Sequence, residues 1–371
     1  MVNFWFSFLK NLMRPTWRLP GGYVPSARFL YLNELESGNV YWVLKYLKRR
    51  LFFELVMRQF GRVKESSRID PTDREILWIN RAAPSLGDSL MDLAARTLLM
   101  DRNITLLTDS KNVELYCHDI VFKDVYKSLT DLKMHKSGNE FDLVICDAFS
   151  PRVMLQKFLI APNIKFLGLY GFVNGFEVHR TYFAFARMQE LLGVETTALP
   201  IRPSISFSDL EQRGFKDIDV CIAVGGEWPF RTYDKWISVI GKLLDAGLTV
   251  SLVGSQNGNR HAAYLIERYP CLRSTVGKLD LNQVVCEISR AKVFLGADGG
   301  LWHIACSIPI PSVVLFADCQ LFDQCGDRVT RETSDLVCEV LYDDREVSNI
   351  SPDAVYQSFD KLWGRLHPAD G

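Results

Sequence analysis

Residues 293–306 read V-F-L-G-A-D-G-G-L-W-H-I-A-C. An unbroken apolar or small run, Val293 to Ala297, meets an acid and two glycines, and helix-like sequence then resumes. A run without a polar break suits a parallel strand covered on both faces. Asp298, Gly299 and Gly300 therefore stand in a loop at a strand's carboxyl end, where open α/β sheets bind their ligands. The glycines let backbone approach a ligand closely, and the first turn of the following helix offers unpaired N–H groups to phosphate oxygens. His303, one turn inside, either packs structurally or hydrogen-bonds the ligand or loop.

The same strand-to-helix grammar extends in both directions. Apolar runs at 219–226, 248–254, 292–298 and 311–318 alternate with helical segments such as Asp234 to Asp245 and Asn282 to Ala291. An earlier series has strands at 75–81, 103–109, 141–147 and 164–170. Two βα series of similar size imply two doubly wound domains facing one another across a cleft. The expected division is a basic helical extension over 1–70, one domain over 71–205 and a second over 206–371.

Three further strand-end loops draw attention. In A-A-P-S-L-G-D (82–88), Gly87 permits a tight turn, and Asp88 either caps the next helix or points into the cleft. In G-G-E-W-P-F-R-T-Y-D-K-W (225–236), a glycine pair led by Gly225 leaves a strand. Lys235 then opens a helix, against the helix dipole; an anion at that site explains it better than a solvated lysine. The polar turn G-S-Q-N-G-N (254–259), with Gly254 and Asn257, suits a ribose or base edge, as would many exposed turns. No G-x-G-x-x-G follows the first strand and there is no G-x-x-x-x-G-K-[ST], which argues against a dinucleotide oxidoreductase and a P-loop NTPase; no nucleophile-elbow G-x-S-x-G appears either. Asp217-Ile218-Asp219 matches a metal-binding D-x-D but precedes its strand, so we read it as solvated charge.

The chain has 371 residues, 48% apolar and 23% charged, with a formal charge of −1. That balance hides an asymmetry: residues 1–69 hold 12 Lys+Arg against 4 Asp+Glu, a net of +8, while the remaining 31 and 40 leave −9. A basic head rich in aromatic residues (Phe4, Trp5, Phe6, Phe8, Trp17, Trp42) favours a membrane surface over nucleic acid as its partner. Within it, Leu44, Leu47, Leu51 and Leu55 share one helical face; the helix either packs on the body or lies at a membrane. No uncharged apolar stretch reaches 18 residues, and Lys10 interrupts the first apolar run, so neither a membrane span nor a signal peptide is expected. Nine scattered cysteines without C-x-x-C pairs read as the reduced thiols of a cytosolic protein.

In this order the loops resemble the family 9 glycosyltransferases, the ADP-heptose:lipopolysaccharide heptosyltransferases. Gly87-Asp88 matches the family's G-D after the first strand, and Lys235-Trp236 its K-x-W or K-W-P element. Asp298-Gly299-Gly300-Leu301-Trp302-His303-Ile304-Ala305, followed by Pro311 and Leu315-Phe316-Ala317, matches D-[ST]-G-x-x-H-x-A and its succeeding strand. The likeness covers about 75–320 and omits the head. Two departures stand out: Gly299 replaces a Ser/Thr hydroxyl, and loop 254–259 lacks the acid often found there.

The resemblance implies the two-domain GT-B fold, with two facing Rossmann-like domains and, here, an N-terminal helical extension. It implies inverting, metal-independent transfer of a heptose from ADP-heptose to a lipopolysaccharide inner-core acceptor, with no cofactor. Asp88 would be the general base. Gly225, Lys235, Gly254, Asn257, Asp298, Gly299, Gly300 and His303 would hold the donor. Arg81, Arg152 and Arg180, with Lys157 and Arg187, are the cations available to an anionic, lipid-linked saccharide. The enzyme would work in the cytoplasm, at the inner face of the inner membrane if residues 1–69 bind it, with no nucleic-acid partner. Two alternatives remain: a GT-B transferase or epimerase using a UDP- or GDP-sugar, and a non-catalytic relative acting as a binding protein.

Overall fold

The computed structural model describes residues 40–60, 65–82, 85–171, 180–194, 204–207, 216–317 and 337–368. Residues 1–39, with the head's first aromatic cluster, lie outside the described residues. The chain forms two compact units. One comprises Met1–Pro84, Asp92–Cys117 and Val121–Leu199; the other comprises Ser85–Met91, His118–Ile120 and Pro200–Gly371.

The first unit contains helix α1 (Val40–Phe60) and five parallel strands: β1 (Glu75–Ile79), β2 (Asn103–Leu107), β3 (Phe122–Tyr126), β4 (Leu143–Cys146) and β5 (Phe166–Gly168). Their order is β3-β2-β1-β4-β5, so the direction of winding reverses between β1 and β4. Leu77, Trp78 and Ile79 of β1 are fully buried, as a strand covered on both faces requires. Each fully buried side chain of this kind contributes about 1.5–3 kcal/mol. Helices α2 (Leu86–Asp92), α3 (Ser110–Tyr116), α4 (Leu129–His135), α5 (Pro151–Ile160) and α6 (Arg180–Leu192) punctuate the chain, and α2 belongs to the second unit through Met91.

Helix α1 packs on this unit by a face other than its leucine stripe. Phe53 and Val56 enter the core, with the Phe53 ring 4.9 Å from that of Phe149 and 6.4 Å from that of Phe166. Leu44, Leu51 and Leu55 remain exposed.

Two expected surface cations are also elsewhere. Lys157 lies in the core: its Nζ sits 4.1 Å from the Phe158 ring centroid, 4.9 Å from that of Phe166, and donates to the Pro162 carbonyl at 3.4 Å. Burial pulls its pKa down to about 8. Arg187 is buried on α6 and pairs with Glu190. Both are buried rather than presented on the surface.

The second unit contains β6 (Ile218–Ala223), α7 (Trp236–Asp245), β7 (Val250–Val253), α8 (Asn259–Arg268), β8 (Arg273–Ser274), α9 (Leu281–Ser289), β9 (Ala291–Ala297), α10 (Gly300–Ser307), β10 (Ser312–Ala317), β11 (Cys338–Asp343) and α11 (Pro352–Leu366). All six strands are parallel, in the order β11-β10-β9-β6-β7-β8, and the winding reverses between β6 and β9. Asp217 and Asp219 are not lone charges: they pair with Arg290 and Lys292, stapling the amino ends of β6 and β9.

Candidate active site

Where an open parallel sheet reverses its winding, the two loops leaving the adjacent strands diverge and leave a crevice. In the second unit those loops follow β6 and β9. After β6, Gly225 adopts φ +86°, and a Cβ there would lie 2.8 Å from Gly258 Cα. This position needs glycine for both conformation and space. Gly254 is equally close-packed, because a Cβ on it would lie 2.5 Å from the Val224 carbonyl oxygen. Asn257 donates from Nδ2 to the Gly226 carbonyl at 2.8 Å and accepts at Oδ1 from Ser255 at 2.6 Å. Gly225, Gly254 and Asn257 thus lock two strand-end loops together.

The chain continues through a single turn, Pro229–Arg231, that delivers Arg231 to the crevice. Its Nη1 lies 3.4 Å from Oδ2 of Asp298, the residue immediately after β9. Beyond it, Tyr233 is anchored by donating to the Ile350 carbonyl at 3.2 Å and by an edge-on contact with Trp236. This fixes the start of α7, where Lys235 occupies the N-cap without a side-chain cap. Lys235 makes no ion pair among the described residues.

On the β9 side, Asp298 is buried, and its N–H donates to the Leu315 carbonyl at 2.9 Å. Burial pushes its carboxyl up to about 6; Arg231 opposes that rise and the negative charge of Asp88 adds to it. His303 Nε2 is 3.8 Å from Asp298 Oδ1. Helix α10 begins at Gly299, whose extended backbone caps no amide through a side chain. The first-turn amides therefore have no side-chain cap, the arrangement that lets helix N-termini take anions.

Asp88 reaches this crevice through α2. A Cβ on Gly87 would stand 2.5 Å from His303 Cδ2, and one on Gly300 would stand 3.0 Å from Leu86 Cδ2. Two glycines therefore let α2 and α10 come into contact, with Asp88 in the first turn of α2. Its own N–H donates to Ser85 Oγ at 3.2 Å, so Ser85 performs the capping that was one reading of Asp88. Gly300 makes room for a protein side chain, whereas a Cβ on Gly299 would have only the Ala297 carbonyl oxygen near it, at 3.9 Å.

The three expected acceptor cations lie in the first unit. Arg81 and Arg152 share Asp109 Oδ1, at 2.9 and 2.7 Å, and Arg81 also donates to the carbonyls of Thr108 and Lys127. Arg180 holds buried Asp92 with two hydrogen bonds, at 2.9 and 2.6 Å. Two residues escaped sequence reasoning. Arg231 has no motif spacing, and only its loop's position after β6 points to it. Asp147 ends β4 and is buried where the first sheet reverses, accepting from the amides of Ala82 and Ala148 at 2.7 Å each. Burial pushes its carboxyl up to about 7.

Residues 176–322 match the family model of glycosyltransferase family 9 (heptosyltransferase). That stretch is similar to the family 9 glycosyltransferases. The matched stretch spans β6 to β10, and with them Arg231, Lys235, Asp298 and His303. Its fold is that of solved family 9 structures. The glycosyl transferase family 9 protein of Veillonella parvula superposes with a TM-score of 0.63 at 15% identity, covering 80% of this chain and 99% of that one. ADP-heptose LPS heptosyltransferase II of E. coli gives 0.61 at 15% identity, over 79% and 99%. E. coli heptosyltransferase WaaC with ADP gives 0.58 at 14% identity, over 78% and 98%. A comparison with the curated proteins finds no match. The chain is thus a GT-B-type α/β protein with parallel sheets.

Proposed function

We propose that this protein transfers a heptose from ADP-heptose to an anionic, lipid-linked saccharide of the lipopolysaccharide inner core, with inversion and without a metal. The observation that carries this reading is the meeting of Asp88, Arg231, Asp298 and His303 at the carboxyl ends of β6 and β9, beside the uncapped start of α10. Asp88 takes the proton of an acceptor hydroxyl. That oxygen bonds to the anomeric carbon from the face opposite the diphosphate, the bond from that carbon to the phosphate oxygen breaks, and ADP leaves. Arg231, Lys235 and the first-turn amides of α10 are fixed positive groups placed where negative charge grows on the departing diphosphate. Asp298 accepts from sugar hydroxyls, with the His303 imidazole beside its carboxylate.

In this reading residues 206–371 bind the donor and 71–205 the acceptor. The half-exposed Arg152 leads the acceptor's anionic contacts, beside Arg81 and Arg180. An acceptor of this class resides at the inner face of the inner membrane, and the basic residues 1–69 would keep the enzyme there. Gly299 and the internally engaged Asn257 favour one second reading, a transferase for another nucleotide sugar, because neither side chain is left for the donor. Titration calorimetry with ADP-heptose, UDP-glucose and GDP-mannose separates the two. Binding of ADP-heptose alone supports heptose transfer, and tighter binding of a UDP- or GDP-sugar overturns the donor assignment.

A further inference from the structure

Among the described residues of the first unit, helix α1 is the longest helix, and its outward face carries exposed leucines. Leu44, Leu51 and Leu55 are 59%, 63% and 54% exposed, while Phe53 and Val56 bury the opposite side. Leu44, Lys48, Leu51, Leu55 and Arg58 follow one another at intervals of four, three, four and three residues, which places all five along one side of the helix. Lys48 and Arg58 are exposed and pair with no acid among the described residues. The helix sequence carries five cations, Lys45, Lys48, Arg49, Arg50 and Arg58, against the single acid Glu54. Helix α5, which α1 packs against, adds exposed Leu155 and Leu159.

We infer that this face of α1 is a docking surface for an anionic lipid bilayer, with the helix lying in the plane of the interface. Exposed leucines interleaved with cations on one side suit a surface contact with an anionic bilayer: the apolar side chains enter the acyl boundary while the cations meet lipid phosphates. A second copy of the chain fits the face worse. The four-three spacing would put Lys48 and Arg58 in the seam of a helix pair, where like charges face each other. Nor does the helix cross a bilayer, because among the described residues no helix is long and apolar enough. The inference rests on the membrane part of the proposed function and adds to it the surface and the orientation.

The test is co-sedimentation of the full-length protein with phosphatidylcholine vesicles and with vesicles containing about one-third phosphatidylglycerol. The variants are L51Q/L55Q and K48E/R58E, all four positions lying on the solvent side. The wild type is expected on the anionic vesicles only, with binding falling several-fold at about 0.5 M salt. Each variant is expected to lose about tenfold or more in binding at an unchanged melting temperature. Should L51Q/L55Q lower the melting temperature, K48E/R58E decides alone. Wild-type binding that ignores lipid charge, no binding at all, or variants that bind like the wild type would each overturn the inference. So would a wild-type dimer that L51Q/L55Q converts to monomer without any vesicle binding. Transfer to a delipidated, soluble acceptor is read in parallel. Its loss with vesicle binding retained counts against the proposed function, and its retention with vesicle binding lost counts against this surface alone.

Discussion

Arg231 and Asp298 face each other at 3.4 Å where the second sheet reverses its winding, one on the loop after β6 and the other immediately after β9. The guanidinium keeps a buried carboxyl from rising further than about 6. Replacing Arg231 by Met removes that restraint, so Asp298 ionises at higher pH and the acidic limb of kcat/KM moves upward. We expect the variant to lose more activity at pH 6 than at pH 8, with about tenfold weaker donor binding throughout. A drop in rate that is uniform with pH would mean that Arg231 does not govern Asp298.

Gly299 and Gly225 should respond to substitution in opposite ways. Gly299 has extended backbone, and a Cβ there would meet nothing nearer than a carbonyl at 3.9 Å, so Gly299→Ser adds a hydroxyl without strain. Its melting temperature should match the wild type, and its donor affinity should rise. Gly225→Ala places a methyl 2.8 Å from Gly258 Cα at φ +86°, and should cost about 1–3 kcal/mol in a denaturant titration. Equal stability of the two variants would contradict the packing described for these loops.

Asp147 gives stability a pH dependence of known sign. Its folded pKa of about 7 lies above the ordinary carboxylate value, so the neutral form favours folding. That contribution is fully present below about pH 4 and is lost as pH rises through 7. Asp147→Asn should therefore gain stability relative to the wild type between pH 4 and 7. A constant offset is also expected, because an amide accepts less well than a carboxylate from the two backbone N–H groups at 2.7 Å. Chemical denaturation across that range reads the slope; parallel curves for the two proteins would contradict the assignment.

The central strands were legible because parallel strands covered on both faces are written as unbroken apolar runs: β1, β4, β6, β9 and β10 all fall within one to three residues of expectation. The edge strands β3 and β11 were not, since half-exposed F-K-D-V-Y and C-E-V-L-Y-D interrupt the apolar pattern. Gly87 and Gly300 stood out as glycines, yet their partners, His303 and Leu86, are contacts at long sequence separation that no local pattern encodes. Lys157 shows the reverse failure: an ammonium on an amphipathic helix reads as surface, and only the rings of Phe158 and Phe166 explain its place in the core. Helix α1 was read correctly as a helix, but its leucines and its aromatic residues competed for the inward face and Phe53 won.

Asp88 is the proposed base in heptose transfer. The most direct measurement is release of ADP from ADP-heptose in the presence of a lipid-linked inner-core acceptor and EDTA, by the wild type and by Asp88→Asn. The wild type should release ADP in an acceptor-dependent way, and the variant should lose about a hundredfold or more in kcat at unchanged donor affinity. Full transfer activity in Asp88→Asn, or no acceptor-dependent release by the wild type, would contradict that assignment.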